Sequence, residues 1–285
     1  MSETPPRPIV ACLPRLRAKL RDASALLVCL DFDGTLAPIV DEPDAAAPTA
    51  ENEAALETLA DTERISTAIV SGRALADVRA RVGPATAYAG NHGLELDRDG
   101  SVTVHPAARE RATLVETVCG LLEVALDPIP GTRVENKRLT GTVHVRQVLP
   151  VTRPIVRELT RDAVDRIGGD DLELSSGKCV LEISPSVSWG KGDAVCRLET
   201  ASPDDTLTIY VGDDVTDESA FRAVEPDGVG VRVGDDSPSA ASCRVRSPDD
   251  VTSLLEWLVT TGVDLLENDR SRSPSTTDTD LDLGN

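Results

Sequence analysis

The chain has 285 residues, 40 % of them apolar and only 2 % aromatic, and it carries a formal net charge of −20. That apolar share, supplied by Ala, Val, Leu and Ile, is enough for a core and excludes a disordered or fibrous chain. The negative charge would repel nucleic acid and anionic lipid, which excludes both as partners.

The acidity is spread along the chain, and lysine is confined to Lys19, Lys137, Lys178 and Lys191 while arginine is plentiful. A diffuse excess of Asp and Glu with few lysines reads as adaptation to high salt, where counterions screen self-repulsion. An acidic, Arg-rich protein from a high-GC genome is the plainer account. The six cysteines show no CxxC pair and no metal-ligand spacing, and most read as small buried hydrophobes. The N-terminus lacks a basic-then-apolar leader pattern and no apolar run reaches the length of a membrane span, so a cytoplasmic location is expected.

Residues 1–21 read as a lead-in, polar and Pro-rich at its start. Residues 26–31, LLVCLD, form a continuous apolar run that stops at aspartate, the pattern of a parallel strand buried on both faces. A helix is expected over 49–60, with Thr49 as N-cap and Asn52 where a capping box would carry Glu or Gln. A strand over 65–70, a helix over 75–82 and a short strand over 86–89 continue a βαβ rhythm. From about residue 96 to 185 the rhythm changes to paired short strands and helices over 109–126 and 152–167, an inserted α+β unit. A helix after Lys191, a strand over 207–211, a helix after Thr216, a strand over 230–233 and a helix over 249–259 then restore the alternation. Residues 266–285, rich in Ser, Thr and Asp, read as a disordered tail. The expected layout is an α/β, Rossmann-like core in two parts, 22–95 and 186–265, split by the insert at 96–185.

In an open parallel sheet, ligands bind beyond the carboxyl ends of the strands. Four motifs sit there. Asp31-Phe32-Asp33-Gly34-Thr35-Leu36 places two carboxylates two residues apart after a buried strand, costly unless a cation or hydrogen bonds compensate. Mg²⁺, which takes hard oxygen ligands and shares them with phosphate, is the expected ion. In Ser71-Gly72-Arg73 the serine could donate its hydroxyl and backbone N–H to a phosphate, though alone the segment also fits an ordinary helix N-cap. Gly190-Lys191-Gly192-Asp193 puts a lysine between glycines at a helix start. Gly212-Asp213-Asp214-Val215-Thr216-Asp217-Glu218 crowds acids that would repel without a cation, although acids at a helix N-terminus account in part for Asp217 and Glu218.

These motifs, in this order, resemble the haloacid dehalogenase (HAD) superfamily across about residues 25–262. The resemblance implies that Asp31 is the nucleophile forming an aspartyl-phosphate. It implies that Asp33 is the general acid and base, and that Thr35, Ser71, Gly72 and Lys191 hold the phosphate. It further implies Mg²⁺ on Asp31, Asp33 through its carbonyl, and Asp213, with Asp214 and Asp217 in support. An insert between the second and third motifs is the C2-type cap of sugar phosphatases in that superfamily.

Three further segments sharpen the resemblance: Gly90-Asn91-His92-Gly93-Leu94-Glu95; Glu135-Asn136-Lys137 followed by His144-Val145-Arg146; and Gly177-Lys178-Cys179-Val180-Leu181-Glu182 before Pro185. Together they are similar to the trehalose-phosphate phosphatase family, with Val145 replacing the usual Tyr. What this implies is hydrolysis of trehalose 6-phosphate, with His92, Glu135, Lys137, His144, Arg146, Lys178 and Glu182 reading the sugar hydroxyls or the phosphate. Other sugar phosphatases, acting on sucrose 6-phosphate or a glycosyl-glycerate phosphate, and a non-catalytic regulatory domain of a trehalose synthase complex are the competing readings. A monomer is expected, since no long apolar stripe marks an interface.

Overall fold

The computed structural model describes residues 4–177 and 179–267. In chain order the elements are β1 (Arg7–Pro8), α1 (Ile9–Asp22), β2 (Ala25–Leu30), α2 (Ala50–Ala60), β3 (Ile65–Val70), α3 (Leu75–Arg81), β4 (Ala87–Gly90), β5 (Glu95–Arg98), β6 (Ser101–Val104), α4 (Pro106–Leu126), β7 (Arg133–Asn136), β8 (Gly141–His144), α5 (Arg153–Ile167), β9 (Leu172–Gly177), β10 (Val180–Pro185), α6 (Lys191–Thr200), β11 (Thr206–Gly212), α7 (Glu218–Val224), β12 (Val229–Val233), β13 (Cys243–Val245), α8 (Pro248–Trp257) and, after a π turn, α9 (Val263–Glu267). Among the described residues, no helix is long and apolar enough to cross a membrane.

A nine-stranded sheet has the order β1-β13-β12-β11-β2-β3-β4-β5-β6, parallel from β1 to β4 and antiparallel at β5 and β6. Strand β2 lies at its centre and shows why its sequence is a continuous apolar run. Leu26, Val28 and Leu30 face a core shared with Leu56 and Leu59 of α2 and Leu255 of α8. Leu27 and Cys29 face the opposite layer, with Val195 and Leu198 of α6 and Phe221 of α7. Both faces are covered, so no residue of the strand can be polar without a partner.

The expected elements are present with boundary shifts of a few residues, and three features differ from the sequence reading. The 1–21 segment is more than a lead-in. Residues 9–22 form α1, whose Cys12, Leu16 and Leu20 recur every fourth residue and are buried in the core. Pro14 sits inside this helix, the residue type that ordinarily argues against one. The strands after residue 94 extend the large sheet rather than the insert, since β5 pairs with β4 and β6 with β5. Helix α9 carries Leu266 into the core, so residue 266 is packed; residues 268–285, the rest of the expected tail, and Lys178 lie outside the described residues.

A second, antiparallel sheet has the order β7-β8-β10-β9. One face packs Val143, Leu181 and Ile183 against Val115, Val118, Leu122, Val156 and Val164 of α4 and α5. Strand alternation then puts Glu135, Thr142, Glu182 and Ser175 in one row across the other face, because these four are register partners. Val145, the departure from the family pattern, is buried in the helical core of this unit.

Asn52 does not complete a capping box. Thr49 accepts from its backbone N–H at 3.1 Å, while its buried side chain donates to the carbonyls of Leu36 and Pro248 and accepts from the Thr252 hydroxyl. It thereby ties the loop after β2 to the starts of two helices.

Candidate active site

Strands β11, β2 and β3 are neighbours in parallel register, with Leu30 opposite both Val211 and Ile69. Their carboxyl ends therefore bring Asp31, Ser71 and Asp213 to one place. Gly34 turns the chain with φ +82°, and a Cβ there would lie 2.4 Å from the Asp213 carboxylate. Only glycine permits that turn and that approach together.

Lys191, at the start of α6, is 2 % exposed and bridges Asp31 Oδ1 at 2.9 Å and Asp217 Oδ1 at 2.7 Å. Burial disfavours its charge, but Asp217 and Asp31 outweigh that and push its pKa well above the ordinary lysine range. The Asp31 carboxyl is pushed well above the carboxylate range by burial. Lys191 opposes this; Asp217 and Asp213 reinforce it.

Ligand atoms of Asp31, Asp213 and Asp217 all lie within 4.8 Å of one another. One lysine among three carboxylates leaves the cluster short of positive charge, and the donors are hard oxygens without nitrogen or sulfur. That chemistry fits a small divalent cation of the Mg²⁺ type. Asp217 also accepts from the Tyr210 hydroxyl at 2.6 Å and the Asp214 N–H at 2.8 Å. Asp214 is half-buried at the start of the turn that Asp217 closes, and neither it nor the Asp33 side chain belongs to this cluster.

Thr35, Ser71 and Gly72, the residues expected to hold phosphate together with Lys191, lie in the loops that follow β2 and β3. The Thr35 hydroxyl is fully buried and has no hydrogen-bond partner among the described residues, an arrangement that asks for a ligand. The Ser71 hydroxyl accepts from the Arg73 N–H at 3.1 Å and keeps its own proton to donate. The Ser71 backbone N–H, expected to serve phosphate, is instead taken by the Ala89 carbonyl at 2.8 Å, because β3–β4 pairing runs on past the strand end. The Gly72 carbonyl accepts from Lys137 Nζ at 3.0 Å, and a Cβ on Gly72 would lie 2.5 Å from the His92 ring.

The second sheet faces this cluster. His144 Nε2 lies 2.8 Å from Glu135 Oε2, and His92 Nε2 lies 3.3 Å from Glu182 Oε2, with Lys137 Nζ 3.9 Å from the same carboxylate group. Burial alone would raise Glu182. His92, Lys137 and Lys191 reverse the sign and hold it at about 2. Burial likewise opposes Glu135, and His144, Lys137 and Arg133 bring it to about 2. Arg146 stands at the rim, 3.9 Å from Asp41 of the loop after β2. A cavity of about 440 Å³ adjoins Glu182, lined also by Ser175, Trp189, Lys191 and Thr216.

The lowered Glu182 pKa has a consequence for stability. A depressed carboxylate stabilises the fold above its unfolded value, near 4.5, and loses that contribution as pH falls through about 2. The side chain is 24 % exposed, so solvent screening leaves about 1–2 kcal/mol. Urea denaturation of Glu182→Gln is expected to show a shallower loss of stability than the parent between roughly pH 5 and pH 2. Identical slopes would discard the assignment.

Two residues contribute more than the sequence reading assigned. Arg73 pairs with Asp33 through two hydrogen bonds of 2.8 Å. Glu95, buried, accepts from the Leu75 N–H and the Asn91 side chain at 3.1 Å each and pairs with Arg138. It fixes the loop that carries His92, where Asn91 and His92 take φ of 49° and 57°. The GxHGxE segment was the signal for Glu95. For Arg73 only its place after Ser71-Gly72 was visible.

Comparison with known proteins agrees with this geometry. The trehalose-phosphatase family model matches residues 29–249. A trehalose-phosphate phosphatase of Mycobacterium marinum is 42 % identical over 233 residues, which are 78 % of this chain and 58 % of that protein. The chain thus spans less than two thirds of that relative's length. A probable trehalose-phosphate phosphatase of Oryza sativa subsp. japonica is 36 % identical over 265 residues, 82 % of this chain and 70 % of that protein. Among solved structures, the C-terminal domain of the C. albicans trehalose-6-phosphate phosphatase superposes with a TM-score of 0.74 at 24 % identity, covering 90 % of this chain and 98 % of that one. The fold is that of HAD phosphatases. With its motifs assembled at the ends of β2, β3 and β11 and the match running through both parts of the core, the chain belongs to the trehalose-phosphatase family.

Proposed function

We propose that this chain hydrolyses trehalose 6-phosphate to trehalose and inorganic phosphate. The carrying observation is Asp31 held at the tip of the central strand between Lys191 and Asp213, with the Thr35 hydroxyl four positions on buried and without a partner among the described residues. Family membership and the Glu135, His144, Lys137 and Glu182 face support the sugar assignment.

In this reading an Asp31 oxygen attacks phosphorus while the bond from phosphorus to the sugar oxygen breaks. Asp33 gives the leaving oxygen its proton. Water then attacks the aspartyl-phosphate and Asp33 takes its proton. The bond between phosphorus and Asp31 breaks, releasing phosphate. Thr35, Ser71 and Lys191 steady the phosphoryl oxygens. Asp31, the Asp33 carbonyl and Asp213 would hold Mg²⁺, with Asp214 and Asp217 orienting the shell; when bound, the ion neutralises charge on the transferring group. The unit from α4 to β10 serves as the cap, with Lys137 reaching the Gly72 carbonyl and Arg133 pairing with Asp44 at 3.0 Å across the cleft. The acidic surface belongs to a protein working in high salt.

Phosphate release is expected to be fastest from trehalose 6-phosphate, against sucrose 6-phosphate and glucosyl-glycerate phosphate as competitors. Release should stop with EDTA, return with Mg²⁺, and persist or rise with added KCl. Equal rates on the three esters would sink the sugar assignment, and full activity after exhaustive chelation would sink the metal.

A further inference from the structure

The Asp33 carboxylate is seated on Arg73. Nε reaches Oδ2 and a terminal guanidinium nitrogen reaches Oδ1, both at 2.8 Å. Asp33 is 39 % exposed on its side chain and Arg73 only 10 %. The arginine is itself fixed on every side: Asp77 at 2.9 Å, the Pro43 carbonyl at 2.9 Å and the Phe32 ring with its centroid 5.0 Å from the guanidinium carbon. Asp77 is in turn braced by Arg81 at 2.7 Å. An exposed ion pair between two floppy chains is worth little. A planar fork immobilised by three contacts fixes the direction of the carboxylate it binds.

We infer that Arg73 is a positioning residue for Asp33, holding its carboxyl group in a defined seat at the mouth of the cleft. The inference rests on the reading of Asp33 as the proton donor and acceptor. Asp33 can keep one hydrogen bond to Arg73 while its other oxygen carries the proton to the sugar oxygen or takes one from water. Without Arg73 the short side chain rotates freely, and each turnover waits for the productive rotamer. The seat also touches the cap, because Pro43, whose carbonyl binds Arg73, precedes Asp44, which pairs with Arg133 of β7.

The test compares two leaving groups in the Mg²⁺-loaded protein. A sugar alkoxide needs a proton to leave and p-nitrophenolate does not. Arg73→Met is expected to lower kcat on trehalose 6-phosphate about 100-fold with KM within a few-fold. The first turnover of p-nitrophenyl phosphate, read as a burst of p-nitrophenolate, should fall far less. In an Asp33→Asn background Arg73→Met should cost almost nothing further. Equal losses on both esters, or losses that multiply in the double variant, would overturn the inference. Should Arg73→Met melt below the assay temperature, Arg73→Lys, which keeps the charge without the fork, carries the same comparison. A parent protein that turns over p-nitrophenyl phosphate but not trehalose 6-phosphate would refute the substrate reading alone. The Arg73 comparison would then run on the sugar ester that is hydrolysed.

Discussion

Asp31→Asn is expected to abolish turnover, with kcat on trehalose 6-phosphate down by at least about 10⁴-fold, as for loss of a covalent nucleophile. The same substitution should leave the fold intact and, in metal-free buffer, raise the melting temperature. The reason lies in what the native site tolerates. Asp31 is buried beside Asp213 and Asp217, and its ionised form is disfavoured there. Asparagine keeps the shape and removes the charge, while the Lys191–Asp217 pair at 2.7 Å persists. Function is thus held at the expense of stability, a familiar trade at reactive sites. Steady-state phosphate release and calorimetric melting check the two halves separately. Residual release above background would displace Asp31 as the nucleophile, and a sharp fall in melting temperature would contradict the account of its burial.

Lys191→Met carries the second large effect, of opposite sign for stability. The apolar side chain fills similar volume but leaves Asp31 and Asp217 buried without their shared counter-charge. Removing one partner of a buried ion cluster costs about 3–5 kcal/mol, to be read by urea denaturation in metal-free buffer. Mg²⁺ should return part of that loss, since an ion that binds only the folded state stabilises it by mass action. Turnover should drop about 10²–10³-fold even with the variant folded, because a fixed charge at the transferring phosphoryl group is missing. The double variant Asp31→Asn/Lys191→Met should be more stable than Lys191→Met alone, since one of the stranded carboxylates is gone. Strict additivity would mean that the two side chains do not communicate through the 2.9 Å contact.

The core motifs were legible in the sequence because apolar strands buried on both faces end abruptly, and the residues directly after them are polar for a reason. Asp31 after LLVCL and Asp213 after LTIYVG stood out on that ground, and strand adjacency joins them. The row of Glu135, Thr142, Glu182 and Ser175 was half visible as alternation, but which strands pair is non-local, so its extent was not. The same limit explains β5 and β6: a short alternating strand looks alike whichever sheet receives it. Helix α1 was hidden by Pro14 and by a stripe of only three buried residues. Arg73 lay in a noted motif, yet its grip on Asp33, forty positions away, arises from the loops after β2 and β3 meeting in space.

The position of β1 bears on how the protein can be handled. Strands β1 and β6 are the outermost of the nine, so about 38 Å of sheet separates them at the usual strand spacing. The cap departs after β6, whereas Arg7–Pro8 closes the opposite border against β13. An affinity tag, fluorophore or surface linker joined ahead of residue 4 would start from Thr4, which bridges Ser239, on the border opposite the cap.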